Sequence, residues 1–547
     1  MHTTTVRWRS SPGRPSRFLL QIPLWGLALF LAATLAGCAT APPGAHYPKV
    51  RSVALTDFES THLGQQFARD SRANGGRSAF RLINVGVDGF LMRLEMINAA
   101  ERTLDLQYFI FRGDESGRLL SEALVRAADR GVRIRVLVDD GDTAPGDEQL
   151  LALSGHGSLE VRVFNPFAYR GHSKIRRGLE FMLRHSRLDY RMHNKMLVAD
   201  GAIGLVGGRN VGDQYFQIDP DSQFADDDVF AGGPIVRDVS AKFDEFWNSA
   251  LAIPAEALTH EHSSGSESSS PGRDTPHAQK LKTAGFDYQD KLTHNEPFAG
   301  VLDGQLSLVW ADAQFVGDSP DKKSVVAGTR PGELMYEPIA AAVSHVQTEL
   351  LIASPYFVPT KGEVRRVEEC RERGAHVRVL TNSLESAPDL AAHAGYVHQR
   401  ALLLKDGVEF YEVRARLGTT RGSGESAKIA RFGNYALHGK FFVFDRQKSY
   451  VGSMNFDQRS RHLNTEIGFL FDNAELSQQV AARFEAMTQK ASAYSVVLRS
   501  SDGGKPQLVW QTWEGDHLVE LHTEPARSAW QRLKVKLLSL LPLDPEL

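Results

Sequence analysis

The sequence predicts an α/β fold built from two similar halves, and three observations predict it. First, His193, Lys195, Asp200, Gly207 and Asn210 recur as His438, Lys440, Asp445, Gly452 and Asn455, each displaced by 245 residues. A spacing this regular marks an internal duplication. Second, short β-branched runs alternate with helical periodicities in both halves, the pattern of α/β layers. Third, the composition is 42% hydrophobic and 24% charged over 547 residues. That is an ordinary globular balance, with length for roughly two to four domains' worth of core.

Residues 1–37 read as an export signal. Arg7, Arg9, Arg14 and Arg17 form a basic head, 18–35 form an apolar run broken by Gln21 and Pro23, and Leu35-Ala36-Gly37 precedes Cys38. Small residues before a cleavage point fit export. The terminal cysteine resembles the lipobox of bacterial lipoproteins, which implies cleavage before Cys38 and lipidation there. The other reading is an uncleaved transmembrane anchor, for which the run is short and carries a proline. Processing removes four arginines and no acid, so the net charge moves from -3 to about -7. An acidic chain has no general pull on nucleic acid, so any grip on phosphate is local. Cys370 is the second of two cysteines. With Cys38 lipidated no intrachain disulfide remains, and Cys370 reads as a structural thiol on a helix spanning 364–373.

Residues 38–79 form a tether and lead-in, with small residues and prolines at 39–48. The first half covers 80–260. Its strands fall at 103–109, 132–138 and 159–164. A helix at 117–130 aligns Leu119, Leu120, Ala123, Leu124 and Ala127 on one face. The segment 261–300 is a linker, Ser/Gly-rich over 263–275. The second half covers 301–495, with strands at 349–353, 377–381 and 408–411 and helices at 363–373 and 390–404. A Tyr-Phe pair recurs as Tyr108-Phe109 and Tyr356-Phe357, near the end of the first strand in each half. Each motif sits on a hairpin, 192–199 with 203–206 and 437–444 with 449–451. The turns begin at Asp200-Gly201, a strong turn dipeptide, and at Asp445. A last strand follows near 228–231 and 466–471, each leading into a helix near 236–248 and 475–487. Gly422–Ser426 reads as a flap or a plain surface loop. The extension 496–547 ends in a helix with Trp530, Leu533, Leu537 and Leu541 on one face and Arg532 and Lys536 opposite. It suits a membrane surface or packing on the body.

Residues i and i+2 on a strand share a face, so His193 projects with Lys195 and His438 with Lys440. Asn210 and Asn455, past the returning strand, can reach the same spot as phosphate donors. Lysine and amide groups bind phosphate oxygens and stabilise developing charge. One imidazole can attack phosphorus and a second can protonate the leaving alcohol. For Asp200 and Asp445 a turn role competes with a catalytic one. The cysteines do not cluster and lysine is a poor metal ligand, so these residues call for no metal or cofactor.

On these residues the chain resembles the phospholipase D superfamily, whose signature is His-x-Lys-x4-Asp followed by Gly-x-x-Asn. The resemblance covers most of 80–490. Around 205–213 and 464–471 the chain is most similar to bacterial cardiolipin synthases with a Gly-Gly-Arg-Asn first motif. The resemblance implies two halves, each a mixed sheet flanked by helices, related by pseudo-twofold symmetry with the active site between them. It implies His193 as nucleophile and an acid that orients each histidine: Asp226 or Asp228 within Phe224-Ala-Asp226-Asp227-Asp228, and Glu466. The implied activity is a phosphatidyltransferase making cardiolipin through a phosphohistidine. Alternatives are a hydrolase, a nuclease or a non-catalytic envelope lipoprotein. Implied partners are phospholipids in a membrane, with no nucleic acid and no obligatory protein partner evident. Ala39 after Cys38 implies a lipid-anchored periplasmic protein at the outer rather than the inner membrane. The lipoprotein-like N-terminus departs from the transmembrane helices that many cardiolipin synthases carry.

Overall fold

The computed structural model describes residues 41–141, 153–171, 173–219, 221–259, 297–415, 435–499 and 506–540. The signal segment, Cys38, the stretch 263–275, the loop 422–426 and Leu541 lie outside them. Among the described residues no helix is long and apolar enough to cross a membrane.

The first half contributes Ser78–Ile83 (β1), Thr103–Tyr108 (β2), Arg133–Asp139 (β3), Leu159–Phe164 (β4), Met196–Ala199 (β5), Ile203–Gly207 (β6), Gln223–Ala225 (β7), Asp228–Gly232 (β8), Ala252–Pro254 (β9) and Val309–Ala311 (β10). Nine of these form one sheet, ordered β10-β1-β8-β6-β5-β2-β3-β4-β9. The second half contributes Ala313–Gly317 (β11), Glu349–Ala353 (β12), Phe357–Val358 (β13), His376–Asn382 (β14), Glu409–Val413 (β15), Tyr435–Leu437 (β16), Lys440–Phe444 (β17), Lys448–Gly452 (β18), Phe456–Asp457 (β19), Ile467–Asp472 (β20), Ala493–Arg499 (β21), Gln507–Glu514 (β22) and His517–Leu521 (β23). Its main sheet runs β11-β20-β18-β17-β12-β14-β15-β21-β22-β23. The segment β1-β8-β6-β5-β2-β3-β4-β9 of the first sheet matches β11-β20-β18-β17-β12-β14-β15-β21 of the second strand for strand.

Both sheets are mixed. β2, β3 and β4 are parallel, as are β12, β14 and β15. Parallel neighbours need a long crossover, which the helices Glu115–Asp129 and Lys361–Glu372 supply. The motif hairpins β5-β6 and β17-β18 then reverse the chain and are antiparallel.

Two expectations shift. The bridges Phe111 to Val211 and Phe357 to Phe456 make Phe111 the counterpart of Phe357. The Tyr-Phe pairs are therefore out of register and do not belong to the repeat. The helix Pro297–Leu302 packs against the helix Gly86–Ala99, and β10 pairs with β1. Residues up to Ala311 thus complete the first half, and the chain passes to the second sheet at Asp312.

The sheets face each other across one continuous core. Val198, Val206 and Val229 from the first meet Val443, Val451 and Ile467 from the second, all nearly fully buried. Phe80 packs edge-on to Phe469 at 5.5 Å and Phe471 at 5.0 Å. The helices Val236–Trp247 and Ala474–Met487 close this core with Phe246, Trp247, Val480 and Phe484. Each such side chain contributes roughly 1.5–3 kcal/mol on burial. The halves therefore share a core rather than touch at a rim.

Candidate active site

Each motif histidine stands where its chain changes partners. Met192 bridges Thr465 of the second half, and the His193 N–H donates to the Thr465 carbonyl at 3.0 Å. Only at Met196 does the chain join its own sheet. In the second copy β16 runs parallel to β7 of the first half, and the His438 N–H donates to the Ala225 carbonyl at 2.7 Å. His193 and His438 thus sit in the step between two ladders, not within a regular strand as the spacing predicts. That step carries both to the junction.

The two halves exchange their acids there. Glu466 of the second half holds His193 of the first, Nδ1 to Oε2 at 2.8 Å. Asp226 of the first half holds His438 of the second, Nδ1 to Oδ2 at 2.5 Å. All four side chains are buried. Asp228 is a correction. It is the first residue of β8, already inside the sheet, and it accepts from the buried Arg93 at 2.8 Å with Arg209 at 3.2 Å. Asp226 lies two residues earlier, in the link between β7 and β8 that still follows the other half. Asp227 pairs with Arg483 at 3.1 Å.

The motif's small residues make room for these acids. A Cβ on Gly208 would stand 2.0 Å from Asp226 Oδ1. At the matching position Ser453 donates to Glu466 Oε2 at 2.5 Å, and Ser460 donates to Oε1 at 2.8 Å. The shorter acid takes the space of a missing side chain, and the longer one is gripped by hydroxyls. Behind Glu466, its N–H donates to Asp318 at 2.8 Å, and Asp318 pairs with the buried Lys322 at 2.8 Å.

The lysines complete each half-site. Lys195 Nζ donates to the His193 carbonyl at 2.6 Å and lies 5.4 Å from the Phe109 ring, which is edge-on to His193 at 5.0 Å. Lys440 Nζ is 2.9 Å from His438 Nδ1 and also donates to the His438 carbonyl. Tyr215 packs edge-on to His438 and Phe224 stacks on it, each at 5.1 Å.

Burial disfavours charge throughout the site. Burial, then Lys195 and Lys440, holds His193 well below the usual histidine range. Burial and Lys440 push His438 down to about 3, against the pull of Asp226. Burial lowers Lys440 to about 8 and Lys195 well below its ordinary value. Burial lifts Glu466 to about 7 against the pull of Lys195. Asp226 is buried too, but His438 and Lys440 outweigh that and hold its carboxyl low. Both imidazoles are thus neutral near neutral pH. With Nδ1 turned to the acid, Nε2 is the ring nitrogen left off the dyad, and that of His438 lies 3.2 Å from Lys440 Nζ.

The other expected residues divide between the hairpin turns and the surroundings of the dyads. Asp200 and Asp445 turn their carboxylates to backbone N–H groups rather than to the histidines. Both adopt left-handed backbone, with φ 53° and 52°. The Asp200 carboxylate accepts from the backbone N–H groups of Glu101, Arg102 and Thr103 at 2.8–2.9 Å. Asp445 accepts likewise from Gln347, Thr348 and Glu349. Each therefore fixes the start of its half's central strand, at the hairpin end remote from the histidine. Asn210 is occupied: its Oδ1 accepts from Ile110 N–H at 3.1 Å and its Nδ2 donates to the Tyr215 hydroxyl at 3.0 Å. Asn455 Oδ1 is buried without a hydrogen bond among the described residues. Sequence reasoning missed Ser453 and Arg209, although both lie inside the motif. It also missed Ser460, Asp318 and Lys322, which carry no local signal.

The family model described as cardiolipin synthase, PLD-like domain, matches residues 94–247 and 339–488, one span in each half. Cardiolipin synthase C of Escherichia coli (strain K12) is 35% identical over 472 residues, covering 84% of this chain and 94% of that protein. The major cardiolipin synthase ClsA of Bacillus subtilis (strain 168) is 25% identical, over 74% of this chain and 67% of that protein. Among solved structures, phosphatidylserine synthase of Haemophilus influenzae Rd KW20 aligns with a TM-score of 0.49 and 13% identity, over 78% of this chain and 92% of that chain. With its duplicated motif, its paired sheets and these two family spans, the chain belongs to the cardiolipin synthase, PLD-like family, the phosphatidyltransferases of the phospholipase D superfamily.

Proposed function

We propose that the chain transfers a phosphatidyl group from one glycerophospholipid to a hydroxyl of phosphatidylglycerol, giving cardiolipin. The observation that carries this is the pair of crossed dyads, His193 with Glu466 and His438 with Asp226. Each dyad has a neutral imidazole and a lysine beside it. Nε2 of His193 attacks phosphorus, and the bond from phosphorus to the headgroup oxygen breaks. That oxygen takes a proton from His438. Binding an anionic phosphodiester beside Lys195 and Lys440 offsets the charge that depresses His438, so His438 can hold the proton with Asp226 behind it. The acceptor hydroxyl then gives its proton to His438, its oxygen attacks phosphorus, and His193 is released. Lys195, Lys440 and Asn455 bind the phosphate oxygens. The similarity to proteins named cardiolipin synthase supports phosphatidylglycerol as acceptor.

Cys38 carries lipid and holds the enzyme on the periplasmic side of the outer membrane, where both substrates lie in a bilayer. Confinement to that surface raises encounter frequency without new active-site contacts. Lipid analysis of cells lacking and overproducing the chain tests the reading. Cardiolipin should fall and rise accordingly. Purified enzyme given phosphatidylglycerol should form cardiolipin; phosphatidic acid as the main product would instead make it a hydrolase. Unmodified, fully soluble protein sustaining normal cardiolipin would refute the anchor.

A further inference from the structure

The helix Lys174–Leu183 is built inside out. Ile175, Leu179, Met182 and Leu183 share one face and are 85%, 55%, 75% and 67% exposed. The opposite face carries Arg177, Glu180 and the half-buried Phe181, and it is the face that touches the protein. Glu180 accepts from the backbone N–H groups of Ala168 and Tyr169 at 2.8 Å. Arg177 lies 4.0 Å over the Phe167 ring and donates to the Asp140 carbonyl. A surface helix of a globular protein turns its apolar stripe toward the core. This one turns it away, and none of its residues is buried. At 100° per residue, Lys174 and Arg176 flank the apolar face on its two edges, and both are exposed. The helix ends ten residues before His193.

We propose that this face docks on an anionic phospholipid bilayer and seats the active site against it. Two features point to lipid as the occupant. Cations at both edges of an apolar face suit the phosphate plane, because their stems lie along the apolar region while the charges reach headgroups. The helix Ala529–Leu538 has the same character: Val535 faces inward while Trp530, Leu533 and Leu537 are exposed, with Lys534 Nζ 5.6 Å from the Trp530 ring. The choice of lipid rests on the proposed function, whose substrates are held in a bilayer.

The test uses the full chain as Met182→Cys in a Cys38→Ser background, labelled with an environment-sensitive fluorophore. Cys370, the remaining thiol, is buried. Vesicles of phosphatidylglycerol and phosphatidylethanolamine should shift the emission to the blue, and doxyl-labelled lipids should quench it. Phosphatidylcholine vesicles should give a smaller shift. A blue emission without vesicles that strengthens with protein concentration would assign the face to a second copy. The same emission independent of concentration would assign it to another segment of this chain. Either result, or no shift at all, overturns the proposal. As a second measurement, Leu179→Glu with Met182→Glu should cut turnover on vesicles by about tenfold or more. Turnover on short-chain phosphatidylglycerol dispersed as monomers should not change. Equal loss on both substrates would overturn the docking role. The fluorescence readout needs no catalysis. Insertion without cardiolipin formation would therefore sink the proposed function and leave the docking intact.

Discussion

Glu466 and His193 are 273 residues apart in sequence and 2.8 Å apart in space. The acid that steadies the first half's histidine comes from the second half, and Asp226 returns the arrangement for His438. Each dyad exists only when both halves are in place. Glu466→Gln and Asp226→Asn remove the charge that fixes the imidazole tautomer and supports its protonated form. Each should lower kcat by roughly 10²–10⁴-fold. Combining Glu466→Gln with His193→Ala should be no slower than His193→Ala alone, because the two act as a unit. Multiplicative losses in that double variant would sink the crossed-dyad reading.

Asp228 should behave differently from its neighbour two residues before. Its partners Arg93 and Arg209 are buried with it. Removing one member of a buried charge cluster leaves the others uncompensated, at about 3–5 kcal/mol. Asp228→Ala should lower the denaturant midpoint sharply while the protein that stays folded keeps its pH profile. An Asp228→Ala protein of normal stability and altered pH profile would return this residue to the proton chemistry.

Asp200→Ala should also act on stability. It strips an acceptor from three backbone N–H groups at the head of β2. Unsatisfied buried donors cost roughly 1–3 kcal/mol. Asp445→Ala should cost less, because its site is partly open to water. For both, kcat measured well below the unfolding temperature should stay within a few-fold of the parent. A loss comparable to that of His438→Ala would show that the aspartate does more than hold the strand.

Lys440 sets an alkaline limit. Its ammonium is pushed down to about 8, so its charge is lost as pH rises through that value, and with it the grip on phosphate. In the free enzyme kcat/KM should fall above about pH 8. Lys440→Arg keeps a charge that does not titrate in this range. It should move the limb upward even if overall activity drops. An unchanged limb in that variant would assign it to another group.

Much of the fold was legible because duplication repeats constraints as well as residues. Val132, Ile134, Val136 and Val138 read as a buried strand from their branching alone, and they are buried. The constant spacing of His, Lys, Asp and Asn identified the halves and both histidines. The same regularity concealed roles. Asp200 repeats as faithfully as His193, although its carboxylate meets backbone N–H groups at the far end of the hairpin, and spacing cannot separate the two positions. Asp226 could not be told from Asp228, because the choice depends on where β8 begins, which is one residue beyond Asp227. The crossing of the acids was invisible, since it arises from β7 pairing with β16 in the opposite half. Lys322 and Asp318 form a buried pair that supports Glu466 from outside any motif.

The two halves solve one steric problem in two ways, and exchanging the solutions tests both. In the first half Gly208 leaves open the volume that Asp226 fills, with a virtual Cβ only 2.0 Å from Oδ1. Real Cβ contacts do not come so close, so Gly208→Ser must displace Asp226 from His438. Its kcat should fall by roughly 10²-fold or more, as for loss of the acid itself. In the second half the equivalent Ser453 donates to the longer Glu466 at 2.5 Å. Adding Asp226→Glu to Gly208→Ser copies that arrangement into the first half. The added methylene lets the carboxylate retreat from the backbone while still reaching the ring, and the new hydroxyl can grip it. The double variant should therefore recover much of the activity that Gly208→Ser loses, whereas Asp226→Glu alone should crowd the glycine pocket and lose activity. If Gly208→Ser turned over as fast as the parent, close approach at Gly208 would be no constraint on the dyad. If the double variant were no better than Gly208→Ser, the halves would not be interchangeable solutions of the same problem.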